Sequence, residues 1–359
     1  MKELAESVIG ILEKAAAGER LTFDEGVTLL RTDDLILLGL AANIVKDRLH
    51  PEPVVTFVID RNINYTNVCQ TKCRFCAFYR SEDDPDAYVL SYDEIFDKIR
   101  ETVELGGTQI LMQGGLHPGL PFSYYLDMLK CIKERFDIHI HSFSPPEIVH
   151  FSRMYSLSVR DVLKKLQEAG LESVPGGGAE ILDNRVRKYI SPQKISWEEW
   201  MDVMTTAHEL GMKTTATMMF GSVETLEERV MHIIRIRDAQ DRTGGFRAFI
   251  PWSFQPSNTQ LGGETATGVD YLKTLAVSRL LLDNVPNIQA SWVTQGAKLA
   301  QISLSFGAND FGGTMLEENV VRAAGVSYRV PINDIVSCIK DAGFSPAQRN
   351  TRYEILKRY

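Results

Sequence analysis

From residue 51 onwards, short β-rich segments alternate with amphipathic helical segments, and this alternation constrains the fold more than any other feature. Residues 54–59 and 62–66 together form the first predicted strand, and the others cover 108–112, 138–143, 171–174, 213–220, 245–250, 288–292 and 302–306. Eight strands separated by helices predict an α/β fold, a (β/α)8 TIM-like barrel. An open six-stranded partial barrel is the alternative, because little room remains for a helix before the eighth strand.

Capping boxes mark several predicted helix starts. In this motif a Ser or Thr side chain and a Glu three residues later each satisfy an unpaired backbone donor of the other. The boxes are Thr22–Glu25, Ser91–Glu94, Ser196–Glu199 and Thr225–Glu228. The first lies in a region of helical periodicity that precedes the barrel. We therefore expect an N-terminal helical cap over 1–50, the barrel over 51–310, and a C-terminal helical closure packed on the barrel over 311–359.

Composition and charge exclude several classes of protein. The net charge of −8 gives no support for nucleic-acid binding. The longest apolar stretch, 35–45, is interrupted by Asn43 and is too short to span a bilayer, so no membrane association is expected. The first residues show no signal-peptide pattern. With five cysteines, three of them clustered, the sequence indicates a reducing cytoplasm rather than a disulfide scaffold.

The cysteine cluster is the strongest chemical signal. Cys69, Cys73 and Cys76 lie within eight residues, directly after the first predicted strand. Thiolates select soft metals or iron–sulfur clusters. A structural zinc site normally has four closed ligands. The remaining cysteines, Cys131 and Cys338, lie on predicted amphipathic helices and are better explained as small buried hydrophobes. Three clustered ligands thus favour an iron–sulfur cluster with one open iron, and zinc remains the alternative.

Distinctive segments follow several predicted strands, at the end where barrel enzymes carry their chemistry. These segments contain Gln113–Gly114–Gly115, His141 with Ser142, Gly176–Gly178 with Glu180, and Asn309 with Asp310. Paired glycines allow a ligand to approach the backbone closely, although a plain turn also uses them. His141 points to the same side as His139, and it is either a satisfied core histidine or a group that takes a proton.

Aromatic residues end two further strands. Trp252, with Gln255 close by, follows the sixth strand, and Trp292 ends the seventh. Aromatic side chains in these positions suit a planar aromatic substrate, although core packing is their default role. The small-residue strand 214–221 could flank an adenine ring, whereas its Met218 belongs to a residue type more often found in the core.

The pattern Cys69-x-x-x-Cys73-x-Phe75-Cys76 resembles the signature of the radical S-adenosylmethionine (SAM) superfamily. The segments 62–69, 113–118, 178–181 and 309–314 extend the resemblance to one branch, over residues of about 20 to 345. That branch comprises the futalosine-pathway enzymes of menaquinone biosynthesis and the enzymes that build the deazaflavin chromophore of coenzyme F420. Within it, the sequence is most similar to the dehypoxanthine futalosine cyclases.

The resemblance implies roles for individual residues. It implies that the three cysteines hold a [4Fe–4S] cluster whose open iron binds SAM. Further cofactor contacts are expected from Phe75, Gln113, Gly114, Gly115, Ser142, Glu180, Arg185 and Met218. Substrate contacts are expected from Asn64, Trp252, Gln255, Trp292 and Asn309. His141 and Asp310 are the expected catalytic groups, and either of them is expected to accept a proton.

The resemblance also implies a reaction. A 5′-deoxyadenosyl radical would remove hydrogen from C4′ of a futalosine-derived ribose, and the new carbon radical would close onto the attached benzoate ring. The expected partners are this small-molecule substrate and a reducing electron donor such as flavodoxin or ferredoxin. Aminofutalosine synthase and deazaflavin synthase chemistry are the alternatives within the branch. A non-catalytic protein with a structural metal site is the alternative from another class.

Overall fold

The computed structural model describes residues 2–359, with side chains from residue 7 onwards. Three helices precede the first strand: α1 (Lys2–Ala17), α2 (Phe23–Arg31) and α3 (Leu35–Leu49). The capping box at Thr22 and Glu25 starts α2, as predicted. Buried apolar residues of all three helices, among them Leu12, Leu29 and Leu38, join the hydrophobic core of the whole molecule.

Nine short strands form a closed parallel barrel. They are β1 (Val54–Val58), β2 (Asp60–Ile63), β3 (Gln109–Met112), β4 (His139–Ser142), β5 (Ser173–Val174), β6 (Lys213–Phe220), β7 (Phe246–Ser253), β8 (Asn287–Ile288) and β9 (Asp310–Gly313). The seven strands β2–β8 pair in sequence order. A parallel bridge between Gln289 and Asp310 links β8 to β9, which pairs in turn with β1. Because β1 and β2 are separated only by Ile59, they act as one barrel strand, and the eight-stranded prediction is confirmed.

Helices connect the strands and cover the outside of the barrel. They are α4 (Tyr92–Glu104), α5 (Phe122–Arg135), α6 (Pro145–Tyr155), α7 (Val159–Ala169), α8 (Asn184–Ile190), α9 (Trp197–Glu209), α10 (Leu226–Thr243), α11 (Gly268–Leu281) and α12 (Trp292–Ser303). The predicted capping boxes of α4, α9 and α10 all form. A further box joins Ser144 to Glu147 at the start of α6.

The position predicted for the eighth strand is wrong. Residues 302–306 end α12 and then form tight turns, whereas the eighth strand is Asp310–Gly313, which the sequence pattern indicated as a glycine-rich loop. Glycine has a low strand propensity, but this strand needs it. A Cβ on Gly313 would lie 2.3 Å from a carboxylate oxygen of Asp60. The seventh strand is likewise shorter than predicted, because Trp292 already belongs to α12.

The segment after β9 contains strands as well as helices. It forms α13 (Val320–Ala323), α14 (Ile332–Asp341), β10 (Ser345–Arg349) and β11 (Ile355–Arg358). β10 lies parallel to β1, with Val54 opposite Ser345, and β11 pairs antiparallel with β10. Neither strand was predicted, and β10 carries Arg349 to the inside of the barrel. The division into cap, barrel and closure remains a prediction.

Candidate active site

A cavity of about 270 Å³ occupies the inside of the barrel towards the carboxyl ends of the strands. Its walls come from most of the barrel strands, the loops that follow them, and β10. Five of the residues predicted from sequence line it: Gln113, His141, Glu180, Trp252 and Trp292. The structure therefore brings predicted cofactor, substrate and proton-transfer residues together around one space.

The cysteine loop follows β2 and is tied to the protein on several sides. The Cys69 backbone NH donates to the Arg80 carbonyl oxygen at 3.0 Å, and the Arg74 NH donates to that of Ile190 at 2.9 Å. All three thiols are free, with Cys73 buried and the other two half-buried. Burial raises the pKa of Cys73 to about 12 and also raises the pKa of Cys76. Without a metal, these two thiols are therefore expected to stay protonated at neutral pH, and binding of a metal displaces their protons.

The arrangement of the thiols differs from a site for one ion. Between residues 7 and 359, no three side chains of His, Cys, Asp or Glu are placed to share a single metal ion. In a cluster each thiolate binds its own iron, so the sulfurs need not converge on one point. Phe75 is half-buried against the hydrophobic core, and the ammonium group of Lys194 lies 5.2 Å from the centre of its ring.

Gly114 and Gly115 bring the loop after β3 directly against the cysteine loop. A Cβ on Gly115 would lie 2.1 Å from the Val68 carbonyl oxygen, so only glycine fits there. The Gly115 NH donates to the Thr66 carbonyl oxygen at 2.9 Å, and the Gly114 NH donates to Glu147 Oε1 at 3.1 Å. Glu147 is fully buried in the capping box of α6, and sequence reasoning missed this support.

Glu180 presents an acceptor without a partner. It follows three glycines, has a φ of 44° and is 5% exposed. Its Oε1 accepts a hydrogen bond from Lys194 Nζ at 2.7 Å. Oε2 has no hydrogen-bond partner in the described part of the chain, and the nearest guanidinium nitrogen, on Arg187, is 3.9 Å away. Since a buried carboxylate oxygen normally has a donor, this atom fits a hydroxyl or amine group of a ligand.

His141 lines the cavity as a neutral imidazole. Its Nδ1 lies 2.7 Å from Ser173 Oγ, and Nε2 of His139 lies 2.7 Å from the same oxygen. The two rings therefore point to the same side, as predicted. Burial lowers the pKa of His141 to about 3, and the positive charges of neighbouring groups act in the same direction. An imidazole with so low a pKa is a weak base at neutral pH.

Two indoles face the cavity. Trp252 lies next to the last residue of β7, and Trp292 begins α12 and donates from Nε1 to the Gly313 carbonyl oxygen at 2.8 Å. This hydrogen bond fixes the plane of the Trp292 ring, which leaves a flat apolar surface for a planar group.

Asp310 and Asn309 have other contacts. Asp310 is fully buried and is paired with Arg349, and it also accepts from Thr56 Oγ1 at 2.5 Å. Asn309 Oδ1 accepts from Arg279 at 2.7 Å and from the Ile288 NH at 2.9 Å. Neither residue is among those that line the cavity.

The remaining predicted contacts also lie away from the cavity. Ser142 Oγ donates to the Met112 carbonyl oxygen at 2.9 Å, and Met218 is buried in the core. Arg185 is exposed and donates to Glu228. Gln255 and Asn64 donate to backbone oxygens of Ser253 and Gln113, respectively.

Sequence reasoning missed several polar residues that line the cavity, among them Asp60 and Gln109. Asp60 is 2% exposed, and its Oδ2 accepts from Gln109 Nε2 at 3.0 Å. Burial raises the pKa of Asp60. The available signal was an aspartate inside a β-rich segment, on the same face as Val58 and Asn62, which also line the cavity.

Arg349 was also missed. It is 4% exposed and lines the cavity from β10, a strand that the sequence did not predict. No helix in the described chain is both long and apolar enough to cross a membrane.

Comparisons with known proteins agree with this site. Residues 63–236 match the radical SAM superfamily, and residues 243–358 match the family described as the CofH/MqnC C-terminal region. A cyclic dehypoxanthine futalosine synthase of Halalkalibacterium halodurans is 52% identical over 98% of this chain and 96% of that protein. Its counterpart in Streptomyces coelicolor is 47% identical over 96% of this chain and 88% of that protein. An aminodeoxyfutalosine synthase of Thermus thermophilus is 42% identical over 98% and 96%.

The fold is shared with a solved structure of low sequence identity. The FeFe-hydrogenase maturase HydG from Carboxydothermus hydrogenoformans superposes with a TM-score of 0.77 at 17% identity, over 98% of this chain and 82% of that one. At 17% identity this structure shows only a shared fold, whereas the relatives that match over nearly the whole length show the family. The chain belongs to the radical SAM superfamily, in the branch that carries the CofH/MqnC C-terminal region, and it is a radical SAM enzyme that uses a [4Fe–4S] cluster and SAM.

Proposed function

We propose that this enzyme cyclises dehypoxanthine futalosine to cyclic dehypoxanthine futalosine in menaquinone biosynthesis. The observation that carries the proposal is the similarity of 52% and 47% over nearly the full length to two synthases of that name. The cavity suits such a substrate, since it combines two indoles with one arginine and several buried polar groups.

The described residues fit both cofactors. Three free thiols share one loop, and Glu180 has an unpartnered oxygen in the cavity. We infer that Cys69, Cys73 and Cys76 hold the cluster, that the Gly114–Gly115 backbone receives the amino group of SAM, and that Glu180 accepts from its ribose. When bound, the two cofactors supply a 5′-deoxyadenosyl radical. The protein positions the reacting groups and excludes water.

The substrate would lie deeper in the cavity. A benzoate ring fits against the Trp292 indole, whose orientation is fixed by its bond to Gly313. Arg349 is the one arginine among the described residues that line the cavity. It is therefore our candidate for the group that holds the benzoate carboxylate. Its pairing with Asp310 and its hydrogen bond to the Asn350 carbonyl oxygen leave one N–H on each terminal guanidinium nitrogen for a ligand.

The chemistry then follows in three steps. Hydrogen is removed from C4′ of the substrate ribose, the resulting carbon radical attacks the benzoate ring to close a spiro ring, and loss of a proton and an electron restores aromaticity. The substrate is a small molecule, and we propose flavodoxin or ferredoxin as the electron donor. His141, with its lowered pKa, is better suited to donate or accept a hydrogen bond than to take up the proton.

An anaerobic turnover assay tests the function. Reconstituted, dithionite-reduced enzyme is mixed with SAM and dehypoxanthine futalosine, and the products are read by mass spectrometry. We expect equal amounts of 5′-deoxyadenosine and of a product two hydrogens lighter than the substrate. Formation of deoxyadenosine without that product would reject the cyclase proposal.

Aminodeoxyfutalosine synthesis is the second candidate, because a synthase of that name is 42% identical over nearly the full length. In that reaction the adenosyl radical adds to the substrate, so the adenosyl group remains in the product. The same assay separates the two reactions, since only the cyclase releases stoichiometric deoxyadenosine.

A further inference from the structure

The proposed cyclisation requires a base beside the substrate ring. After ring closure, the attacked ring carbon carries both the new C–C bond and a hydrogen, and this hydrogen must leave as a proton. The base must therefore line the cavity, must not be tied to a cation, and must lie where the aromatic ring binds.

The titratable groups that line the cavity can be compared by the ion pairs and hydrogen bonds that they already form, because a group that is fully bonded cannot accept a proton from the substrate. Glu180 is ion-paired with Lys194. Each oxygen of Glu318 accepts two hydrogen bonds from backbone NH groups at the start of α13, so neither has a lone pair left for a proton. His141 is neutral, and Tyr353 would act as an acid rather than a base. Asp310 does not line the cavity and is held by Arg349.

Asp60 is the carboxylate that remains. It forms no ion pair with any cation between residues 7 and 359, and each of its oxygens accepts only one hydrogen bond, from a neutral donor. The nearby charge of Arg349 favours the ionised form of Asp60 without forming an ion pair with it. Oδ1 accepts from the Met315 NH at 3.0 Å, and Oδ2 accepts from Gln109 Nε2 at 3.0 Å. Thr351 Oγ1 donates to Gln109 Oε1 at 2.6 Å, so the amide of Gln109 is turned with its NH2 group towards Asp60. The environment thus orients the carboxylate without neutralising it.

Asp60 also lies beside the proposed ring-binding surface. Gly313 connects the two: a Cβ there would lie 2.3 Å from Asp60 Oδ1, and its carbonyl oxygen accepts from Trp292 Nε1 at 2.8 Å. A ring stacked on Trp292 therefore has the Asp60 carboxylate near its edge. Burial raises the pKa of Asp60, which makes it a stronger base than an exposed aspartate.

We propose that Asp60 is the catalytic base that takes the proton from the substrate ring after cyclisation, an inference that rests on the proposed function. The ring C–H bond breaks, its proton moves to a carboxylate oxygen of Asp60, and its electron pair stays in the ring. The unpaired electron of the resulting radical anion must pass to a one-electron acceptor, a role that a bound iron–sulfur cluster in its oxidised state would fill. Atoms and charge then balance, and the aromatic ring is restored.

The test compares Asp60→Asn with His141→Asn in the turnover assay, using substrate with hydrogen or deuterium on the benzoate ring. For Asp60→Asn we expect deoxyadenosine formation to continue while cyclised product falls by about 10²- to 10⁴-fold, the usual contribution of a general base. We also expect ring deuteration to slow product formation more than in wild type. His141→Asn should leave this isotope effect at the wild-type value.

Three outcomes would overturn the assignment. Cyclised product within about threefold of wild type in Asp60→Asn excludes a general base of that usual strength. A parallel fall of deoxyadenosine and product with no change in the isotope effect indicates a structural role only. A larger isotope effect in His141→Asn than in Asp60→Asn transfers the role to His141. In each case wild-type enzyme still forms the product, which separates this failure from failure of the proposed function.

A second variant covers the case in which Asp60→Asn does not fold. Asp60→Ala leaves space for a small carboxylate, so added formate should restore product formation, whereas added chloride should not. Circular dichroism and the absorbance of the reconstituted cluster report whether each variant is folded. Folded Asp60→Ala that formate does not rescue would also contradict the proposal.

Discussion

Arg349 and Asp310 form a buried, bidentate ion pair. Arg349 Nε lies 2.5 Å from Asp310 Oδ2, and Nη2 lies 3.0 Å from Oδ1. The pair joins β10 to β9 and so fastens β10 to the barrel. It also explains why Asp310, although it occupies a strand of the barrel, has no free lone pair directed into the cavity.

We expect Asp310→Asn to lower the unfolding free energy of the enzyme rather than to remove a catalytic group. Removal of one partner leaves the Arg349 charge buried and unpaired, which costs about 3–5 kcal/mol of unfolding free energy. Chemical denaturation measures the loss. The matched control is Arg358→Ala, which removes the exposed ion pair with Glu52 and should cost about 0–1 kcal/mol. Full stability of Asp310→Asn together with loss of cyclised product would restore Asp310 as a catalytic group.

Loss of a single cluster ligand should abolish radical formation. We expect Cys73→Ala to lose most of its reconstituted iron and all deoxyadenosine formation, because the remaining two thiolates cannot hold the cluster. Iron analysis and visible absorbance measure the first effect. Cys131→Ala is the matched control, since Cys131 is half-buried on α5, outside the cysteine loop. An equal loss of iron in both variants would reject the assignment of the ligands.

Glu180 and Arg185 were both predicted to contact SAM, but we expect only the substitution of Glu180 to weaken SAM binding. Glu180→Gln replaces a buried anionic acceptor by a neutral one, and hydrogen bonds to ions are about twice as strong as neutral ones. We therefore expect the dissociation constant for SAM to rise roughly tenfold. Arg185→Ala should leave it unchanged, because Arg185 is exposed and paired with Glu228. Equilibrium binding to the reconstituted enzyme measures both, and a stronger effect of Arg185→Ala would contradict the site.

Acid should weaken the fold through its buried histidines. The pKa of His141 is lowered to about 3 and that of His208 to about 4, in both cases mainly by burial. Between these values and the pKa near 6.5 of an unfolded histidine, the unfolded chain binds a proton and the folded protein does not. The unfolding free energy should therefore be highest above pH 6.5 and fall as the pH drops towards 4, by up to about 1.4 kcal/mol per pH unit for each histidine.

Denaturation curves at several pH values test this expectation. His141→Asn removes one titrating group, so its unfolding free energy should depend less steeply on pH than that of wild type. If the pH dependence of the unfolding free energy is the same in the variant and in wild type, the pKa of His141 is not lowered in the folded enzyme.

The sequence predicted those elements whose signals are local. Capping boxes at Ser91, Ser196 and Thr225 depend on residues three positions apart, and all three form as predicted. β6 has the predicted bounds because its alternation of buried and half-buried residues is contained within the strand. The cysteine motif is local in the same sense. Its spacing is readable without any knowledge of the fold.

The sequence could not reveal features that depend on distant residues. β9 resembles a loop until Asp60 is placed against Gly313, and nothing near residue 345 indicates a strand that pairs with β1. Asp310 was predicted within a glycine-rich loop as a catalytic group, but its partner Arg349 lies 39 positions away. Asp60 was overlooked for the complementary reason, since only the closed barrel shows that it faces the cavity.

The position of β10 also has a consequence for biosynthesis. Residues 345–349 pair with β1, so β1 must wait for its partner until the ribosome has made the rest of the barrel. Arg349 and Thr351 reach the cavity only after that pairing. A nascent chain can therefore already contain the cysteine loop while the cavity still lacks the part of its wall that β10 and Thr351 form. Insertion of the cluster and completion of the cavity can therefore occur at separate stages of maturation.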